Sequence, residues 1–282
     1  MRVRAGDELV LLRPVPTEPP AVLDFTTLHR DDALLVIDKP AGLPVHPSAR
    51  YHRHTLTALM RERLGLGHGW AMAHRIDRET SGVLVFGRSA PRRGRRQPPS
   101  PAGVLKRSFQ KREVEKEYLA IVKGTLASAT TIDIPIALDP GSRLRIKMSA
   151  MTLRDGGLPA QTHVEPVAWG SLRGEPITLV CCKPYTGRQH QIRIHLALVG
   201  HCLLGDKLYG LSEELFLEAI DGHMPAHELE ARIGLSRQAL HAHRITLPHP
   251  VTGERVSFTA SWPRELAAVL PVPTARSFPT TP

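Results

Sequence analysis

The chain has 282 residues, 41% hydrophobic and 23% charged, which suits a soluble globular protein of one large domain or two modest ones. Lys and Arg outnumber Asp and Glu by 37 to 27, a formal charge of +10, and such a field favours a polyanionic partner, most often nucleic acid. No apolar run approaches the ~20 residues of a membrane span, and residues 1–20 lack the basic start and continuous apolar segment of a secretory signal.

Taken in order, residues 1–20 read as one short strand and a Pro-rich linker. Leu34 to Ile37 is a strand, and Asp38-Lys39-Pro40-Ala41-Gly42 turns the chain after it. Thr55 can cap a helix whose apolar positions Leu56, Leu59, Met60 and Leu64 share one face, with Gly65 and Gly67 ending it. Then comes His74-Arg75-Ile76-Asp77-Arg78-Glu79-Thr80-Ser81-Gly82, followed by the buried strand Val83 to Phe86. Asp77 lies between two arginines, which should keep it ionised at neutral pH. Alone, such a loop is adequately explained by local surface ion pairs.

From Arg88 to Lys116 the chain carries ten Lys/Arg against Glu113 and Glu115. Within it, Arg92 to Pro101 is rich in Arg, Pro and Gly, and is expected to be disordered when free and to contact RNA in use. Glu117 to Val122 and Ile177 to Cys182 read as strands. The three cysteines, Cys181, Cys182 and Cys202, include no C-x-x-C, so reduced thiols in a cytoplasmic protein are expected. Thr186 and Gln189 have capping-box spacing, which predicts a helix starting there with Arg188 in its first turn, Ile192, Leu196 and Val199 on one face, and Gly200 at its end. A cation at a helix N-terminus opposes the macrodipole, so an anion held nearby would account for Arg188. Ser212 to Ile220 is a capped helix and 226–233 a shorter one. Leu240 to Leu247 and Val256 to Ala260 form a hairpin. Strands and helices mixed with hairpins predict an α+β fold with a partly antiparallel sheet.

Fifteen histidines raise the question of a metal. The pairs His52/His54, His241/His243 and His190/His195 lack a suitably spaced acid, and H-E-x-x-H is absent, so no metal is expected. G-x-S-x-G, the P-loop and G-x-G-x-x-G are absent too.

Several separated segments nevertheless share one pattern: L-L-V-I-D-K-P-A-G-L-P-V-H, H-R-I-D-R-E-T-S-G-V-L-V-F, K-E-Y-L-A-I-V-K-G, T-G-R-Q-H-Q-I-R-I-H-L-A-L-V-G-H with L-G-D-K-L-Y-G, and L-H-A-H-R-I-T-L-P-H-P. From about Leu34 to Pro263 the sequence resembles the RluA-type pseudouridine synthases, which isomerise uridine in ribosomal or transfer RNA. The resemblance implies a curved, mixed, mostly antiparallel sheet with a central cleft and flanking helices, and no cofactor or metal. It matches Asp77 to the essential aspartate, Tyr118 to an active-site tyrosine and Arg188 to a basic residue paired with the aspartate. Arg75 matches the arginine that helps displace the target base. His74, Thr80, Lys116 and the loop arginines Arg92, Arg93, Arg95 and Arg96 complete the residues expected to meet RNA.

The expected layout is an N-terminal strand and linker (1–20), a catalytic domain (21–270) with a basic loop (88–108), and a flexible tail (271–282). In front, V-R-A-G-D-E-L-V resembles only the final strand of the small RNA-binding domain that many relatives carry. RNA is the expected partner, with no membrane, and the protein is expected to be monomeric. A catalytically silent RNA-binding protein on the same fold is the alternative.

Overall fold

The computed structural model describes residues 6, 17–48, 50–65, 67, 69–89 and 99–272. The expected N-terminal strand, Arg92, Arg93, Arg95, Arg96 and nearly all of the expected tail lie outside the described residues. In chain order the elements are β1 (Thr26–Arg30), β2 (Leu34–Lys39), α1 (Leu56–Leu64), β3 (Trp70–Met72), β4 (Ser81–Arg88), α2 (Pro101–Gln110) and β5 (Glu115–Lys123). They continue with β6 (Thr130–Asp133), β7 (Ile136–Leu138), β8 (Met148–Ala150), β9 (Gln161–Leu172), β10 (Glu175–Pro184) and α3 (Gln191–Leu198). The chain closes with α4 (Lys207–Gly210), α5 (Glu213–Ile220), α6 (Ala226–Ile233), β11 (Leu240–Pro248), β12 (Arg255–Thr259) and α7 (Arg264–Ala267).

Ten strands form one mixed, mostly antiparallel sheet in the order β1-β2-β4-β11-β5-β10-β9-β6, with β3 paired to β4 and β12 to β11. Strand alternation sorts the apolar side chains to opposite faces. Leu35 and Ile37 pack with α1, whereas Leu34 and Val36 join Leu105 of α2. In the other half, Ala120, Val122 and Cys182 pack with Ile192 and Leu196 of α3, while Leu119, Ile121 and Cys181 pack with Leu266 and Leu270. The adjacent cysteines therefore enter separate cores, and burial pushes the Cys181 thiol up to about 12.

The two halves meet at a parallel seam of only two register pairs, His241↔Ser81 and Ala242↔Gly82, in a sheet otherwise antiparallel. Ser81 Oγ and His241 Nδ1 are 2.9 Å apart there, and His241 Nε2 lies 3.3 Å from the Ala260 carbonyl. Since a carbonyl only accepts, Nε2 carries the proton and Nδ1 accepts from Ser81. Gly82 has φ +110, and a Cβ on it would lie 2.2 Å from the Ala242 carbonyl oxygen. The backbones thus approach as closely as a side-chain-free residue permits.

Helix α1 begins as expected, with Thr55 accepting from Ala58 N and Gly65 ending it. The expected basic loop over 88–108 is in part helical, however. Ser100 caps α2 by accepting from Gly103 N, Pro101 occupies its first turn, and Leu105 is buried. Gly87 lets this helix touch β4, since a Cβ there would come within 2.5 Å of Ala102 N. The capping box expected at Thr186 is also absent. Thr186 Oγ1 donates instead to Gln191 Oε1 at 2.7 Å, and α3 starts at Gln191 after His190 in the left-handed region. Among the described residues no helix is long and apolar enough to cross a membrane.

The seam sets an expectation. Gly82→Ala adds both left-handed strain and a backbone clash, so it should cost at least about 3 kcal/mol. Gly42→Ala has φ +84 but open space around its Cβ, and should cost about 1 kcal/mol. Urea unfolding of the two variants measures the difference, and equal losses would mean that the seam adds nothing.

Candidate active site

A cleft of about 550 Å³ opens at the seam, lined by the loop 73–80 before β4, the end of α2, β5, and the 184–193 segment leading into α3. Arg75, Arg112, Lys116, Arg188 and Arg193 line it, and Asp77 is its one carboxylate.

Asp77 Oδ2 accepts from Arg193 Nη1 at 2.9 Å. The same guanidinium gives Nε and Nη2 to the two oxygens of Asp206, at 2.7 and 2.9 Å. Asp206 is 1% exposed and also caps α4, its Oδ1 accepting from Leu208 N and Tyr209 N. Burial works to raise the Asp77 pKa, but the Arg193 charge and hydrogen bond outweigh it and hold the carboxyl below its ordinary value. For Arg193 burial works downward, and the charges and hydrogen bonds of Asp206 and then Asp77 drive the pKa up instead. Asp77 is therefore a carboxylate throughout the neutral range.

The loop carrying Asp77 is braced on several sides. Lys39, with 0% exposure, gives its ammonium to the carbonyls of Pro40, Leu43 and Arg78. Burial draws its pKa down to about 7. Gly42 N also donates to Arg78 O at 2.9 Å. Lys207 Nζ reaches both oxygens of Glu79 at 2.8 and 2.9 Å, Arg237 donates to the Glu79 carbonyl, and Gln238 donates to Thr80 Oγ1.

Tyr118 stands where two cores meet, packed against both the α1 and the α3 clusters. Burial, then the Asp77 charge, raises its pKa, so it remains a neutral phenol. His74 Nε2 accepts from Val85 N at 3.2 Å and its ring stacks on Phe109, with centroids 4.8 Å apart. Burial and then Lys116 depress its pKa to about 3, which leaves a neutral ring protonated on Nδ1. Lys116 Nζ donates to the Thr186 carbonyl, and burial followed by the Arg112 charge brings its pKa to about 8. Arg112 and His190, both lining the cleft, have φ +61 and +54, backbone strain of the kind that clusters at functional sites. Burial and Arg193 keep His190 neutral, at about 4.

With this geometry in view, known proteins supply a frame. Residues 33–198 match the family model described as RNA pseudouridylate synthase. The chain belongs to this family. Ribosomal large subunit pseudouridine synthase D of Xanthomonas campestris pv. campestris is 35% identical over 275 residues, covering 95% of this chain and 76% of that protein. The protein of the same name from Nitrosomonas europaea is 34% identical over 246 residues, covering 86% of this chain and 63% of that one. Among solved structures, human RNA Pseudouridylate Synthase Domain Containing 1 matches with a TM-score of 0.65 at 26% identity, covering 87% of this chain and 86% of that chain.

In this member of the family the cleft gathers Asp77, Tyr118, Arg75, His74, Thr80, Lys116 and Arg188. The expected partnership of Arg188 with Asp77 is not formed. Arg188 Nε donates to Pro159 O at 3.1 Å, and the aspartate's partner is Arg193. The displaced start of α3 is the reason: residue 188 falls on the loop before the helix, and residue 193 on its first turns. Thr80 is buried and bonded to Gln238, which makes it a brace of the loop. Sequence reading missed Arg193, Asp206, Lys207 and Gln238, although G-D-K in the L-G-D-K-L-Y-G segment already contained two of them. Of the histidine pairs weighed as metal ligands, His241 and His243 both face the Ala260 carbonyl, and His190 and His195 go to separate partners. His195 donates to Ile134 O and accepts from Thr162, whereas His190 bonds Tyr209.

Arg193→Met leaves the buried Asp206 and the half-buried Asp77 without their cation, which should cost about 3–5 kcal/mol at pH 7. In the wild type the depressed Asp77 pKa contributes stability that is full above the unfolded value and lost only as pH falls through the lower folded one. In the variant, burial is the largest influence on Asp77 and is no longer offset by Arg193. Only the weaker effects of His190 and Gln238 oppose it, so the folded pKa should rise and the protein should recover stability as pH drops from 7 toward 5. Urea unfolding at both pH values checks the sign, and parallel behaviour of the two proteins would place the pair outside the energetics of the fold.

Proposed function

We propose that the protein is an RNA pseudouridine synthase that isomerises uridine in structured RNA, with ribosomal RNA favoured by the names of its relatives. The observation that carries this reading is a single ionised carboxylate, fixed by Arg193, in a cleft whose other charged side chains are all cationic. Glycoside hydrolysis usually needs two carboxylates because a water must be activated. Isomerisation does not, since the leaving uracil is itself the returning partner. The N1–C1′ bond breaks, the base turns over, C5–C1′ forms, the C5 proton leaves and N1 gains one, with no net redox change and no water consumed.

Asp77 serves either by attacking the sugar carbon or by removing a ribose proton, and both routes need it charged. Arg75 is exposed on the same loop and lines the cleft, so it can occupy the gap left when the uridine leaves its stack, a step costing a few kcal/mol. Tyr118, kept neutral, can pack on the uracil or pass a proton. On this reading the enzyme acts as a monomer in the cytoplasm and needs no metal. The rival, a silent RNA-binding protein on the same fold, would keep the basic cleft without turnover.

Asp77→Asn preserves shape and removes charge. It should lower turnover by at least about 10³-fold, within the range for loss of an acid–base or nucleophilic group, while RNA affinity stays near wild type. Tritium release from RNA labelled at uridine C5 reads the reaction directly. Undiminished release by the variant would remove Asp77 from the mechanism, and none from the wild type on any cellular RNA would favour the silent binder.

A further inference from the structure

We propose that Tyr185 is a stacking platform for a nucleobase adjacent to the target uridine. This rests on the reading of the cleft as an RNA site and adds to it a contact outside the reacting groups. The chain has four tyrosines, and three are fully occupied. Tyr51 is buried beneath the Arg78 guanidinium, Tyr118 packs into two cores, and Tyr209 accepts from Met148 N with the Arg193 guanidinium over its ring. Tyr185 is 53% exposed and lines the cleft. Among the described residues no ring or guanidinium packs on its face.

Exposure alone does not carry the inference. Trp169 is exposed to a similar degree, yet its indole N–H donates to Leu126 O and it lies outside the cleft. Two further features set Tyr185 apart. First, its backbone is fixed: Tyr185 N donates to Gln161 O at 3.0 Å, and Thr186 Oγ1 accepts from Gln161 N at 3.0 Å while donating to Gln191. The ring therefore stands on a rigid loop and has only two side-chain torsions to lose on binding. Second, cations flank it. A Cβ on Gly187 would sit 3.7 Å from Lys116 Nζ, and Arg188 follows on the same loop. A nucleotide stacked on Tyr185 would have its phosphates beside positive charge, and among the described residues lining the cleft Asp77 is the one acid.

A base–aromatic stack changes affinity by roughly 5- to 150-fold on alanine substitution and tolerates any base, because every base presents a π-face. Tyr185 therefore supplies grip on the strand beside the flipped nucleotide without reading its sequence.

The test compares wild type, Tyr185→Phe and Tyr185→Leu by fluorescence anisotropy with a labelled single-stranded RNA of about 12 nucleotides containing one uridine. Tyr185→Leu should bind at least about fivefold more weakly and Tyr185→Phe within about twofold of wild type. Removing the bases on both sides of the uridine should abolish the difference. In tritium-release kinetics on large-subunit ribosomal RNA transcripts, Tyr185→Leu should raise KM and leave kcat unchanged. Equal affinities of wild type and Tyr185→Leu, no binding by either, or a Phe variant as weak as Leu overturns the proposal. Absence of tritium release from the wild type would overturn the catalytic reading and leave the binding comparison to decide this one.

Discussion

One guanidinium shared by two carboxylates sets the chemistry of the cleft. Asp206 is fully enclosed, and its oxygens are taken up by two N–H groups of α4 and two from Arg193. That saturation fixes the guanidinium plane, and the remaining Nη1 then has one place to point, Asp77 Oδ2. A carboxylate buried without such a partner would protonate, because desolvation disfavours its charge. Tyr209 closes the arrangement by lying beneath the Arg193 guanidinium, 5.2 Å from ring centroid to Cζ, and by bonding His190.

This fork is useful only if the loop bearing Asp77 is held still, and the sheet seam supplies the anchor. Two parallel register pairs at Ser81 and Gly82 fix the end of the loop, and the buried Ser81–His241 bond ties the halves together. Upstream, the Lys39 ammonium gathers three carbonyls, one of them from Arg78 beside the aspartate. Glu79 and Thr80 are gripped by Lys207, Arg237 and Gln238. Every residue from 78 to 81 thus has a side chain or carbonyl engaged by a distant segment, while Asp77 faces the cleft. Preorganisation of this sort lets a charged group act without reorganising at the moment of reaction.

Much of this was legible in the sequence, and the reasons for the rest are local. Tyr118 lies on a strand, and Asp77 on the loop leading into another, whose β-branched and aliphatic runs declare themselves, and Thr55, Ser212 and the glycines after them mark helix ends with little ambiguity. Arg193 was hidden because T-x-x-Q suggested a capping box four residues too early. The threonine instead bonds a glutamine five positions on, and the chain turns through His190 in a conformation that sequence signals assign to glycine. Helix α2 was masked by charge: Ser100 and Pro101 are a sound helix start, but the arginines before them drew the whole segment into a loop. Asp206 could not be paired with Arg193 from sequence, since nothing local links a turn acid to a helix arginine. The long strand β9 escaped because its alternation is weak, with most of its residues only half-buried.

The result is a cleft that divides labour between charge and shape. Cations lining it suit a polyanion, the neutral His74 and Tyr118 give it apolar walls, and a single anion, Asp77, faces it. All of this depends on Asp77 being charged while largely shielded from water. Carbon-13 NMR titration of its carboxyl, assigned from the signal missing in Asp77→Asn, measures that state directly. A resonance titrating below the ordinary aspartate value of 3.8 is the expected result, and one titrating above it would show that burial prevails over Arg193 and would contradict the account.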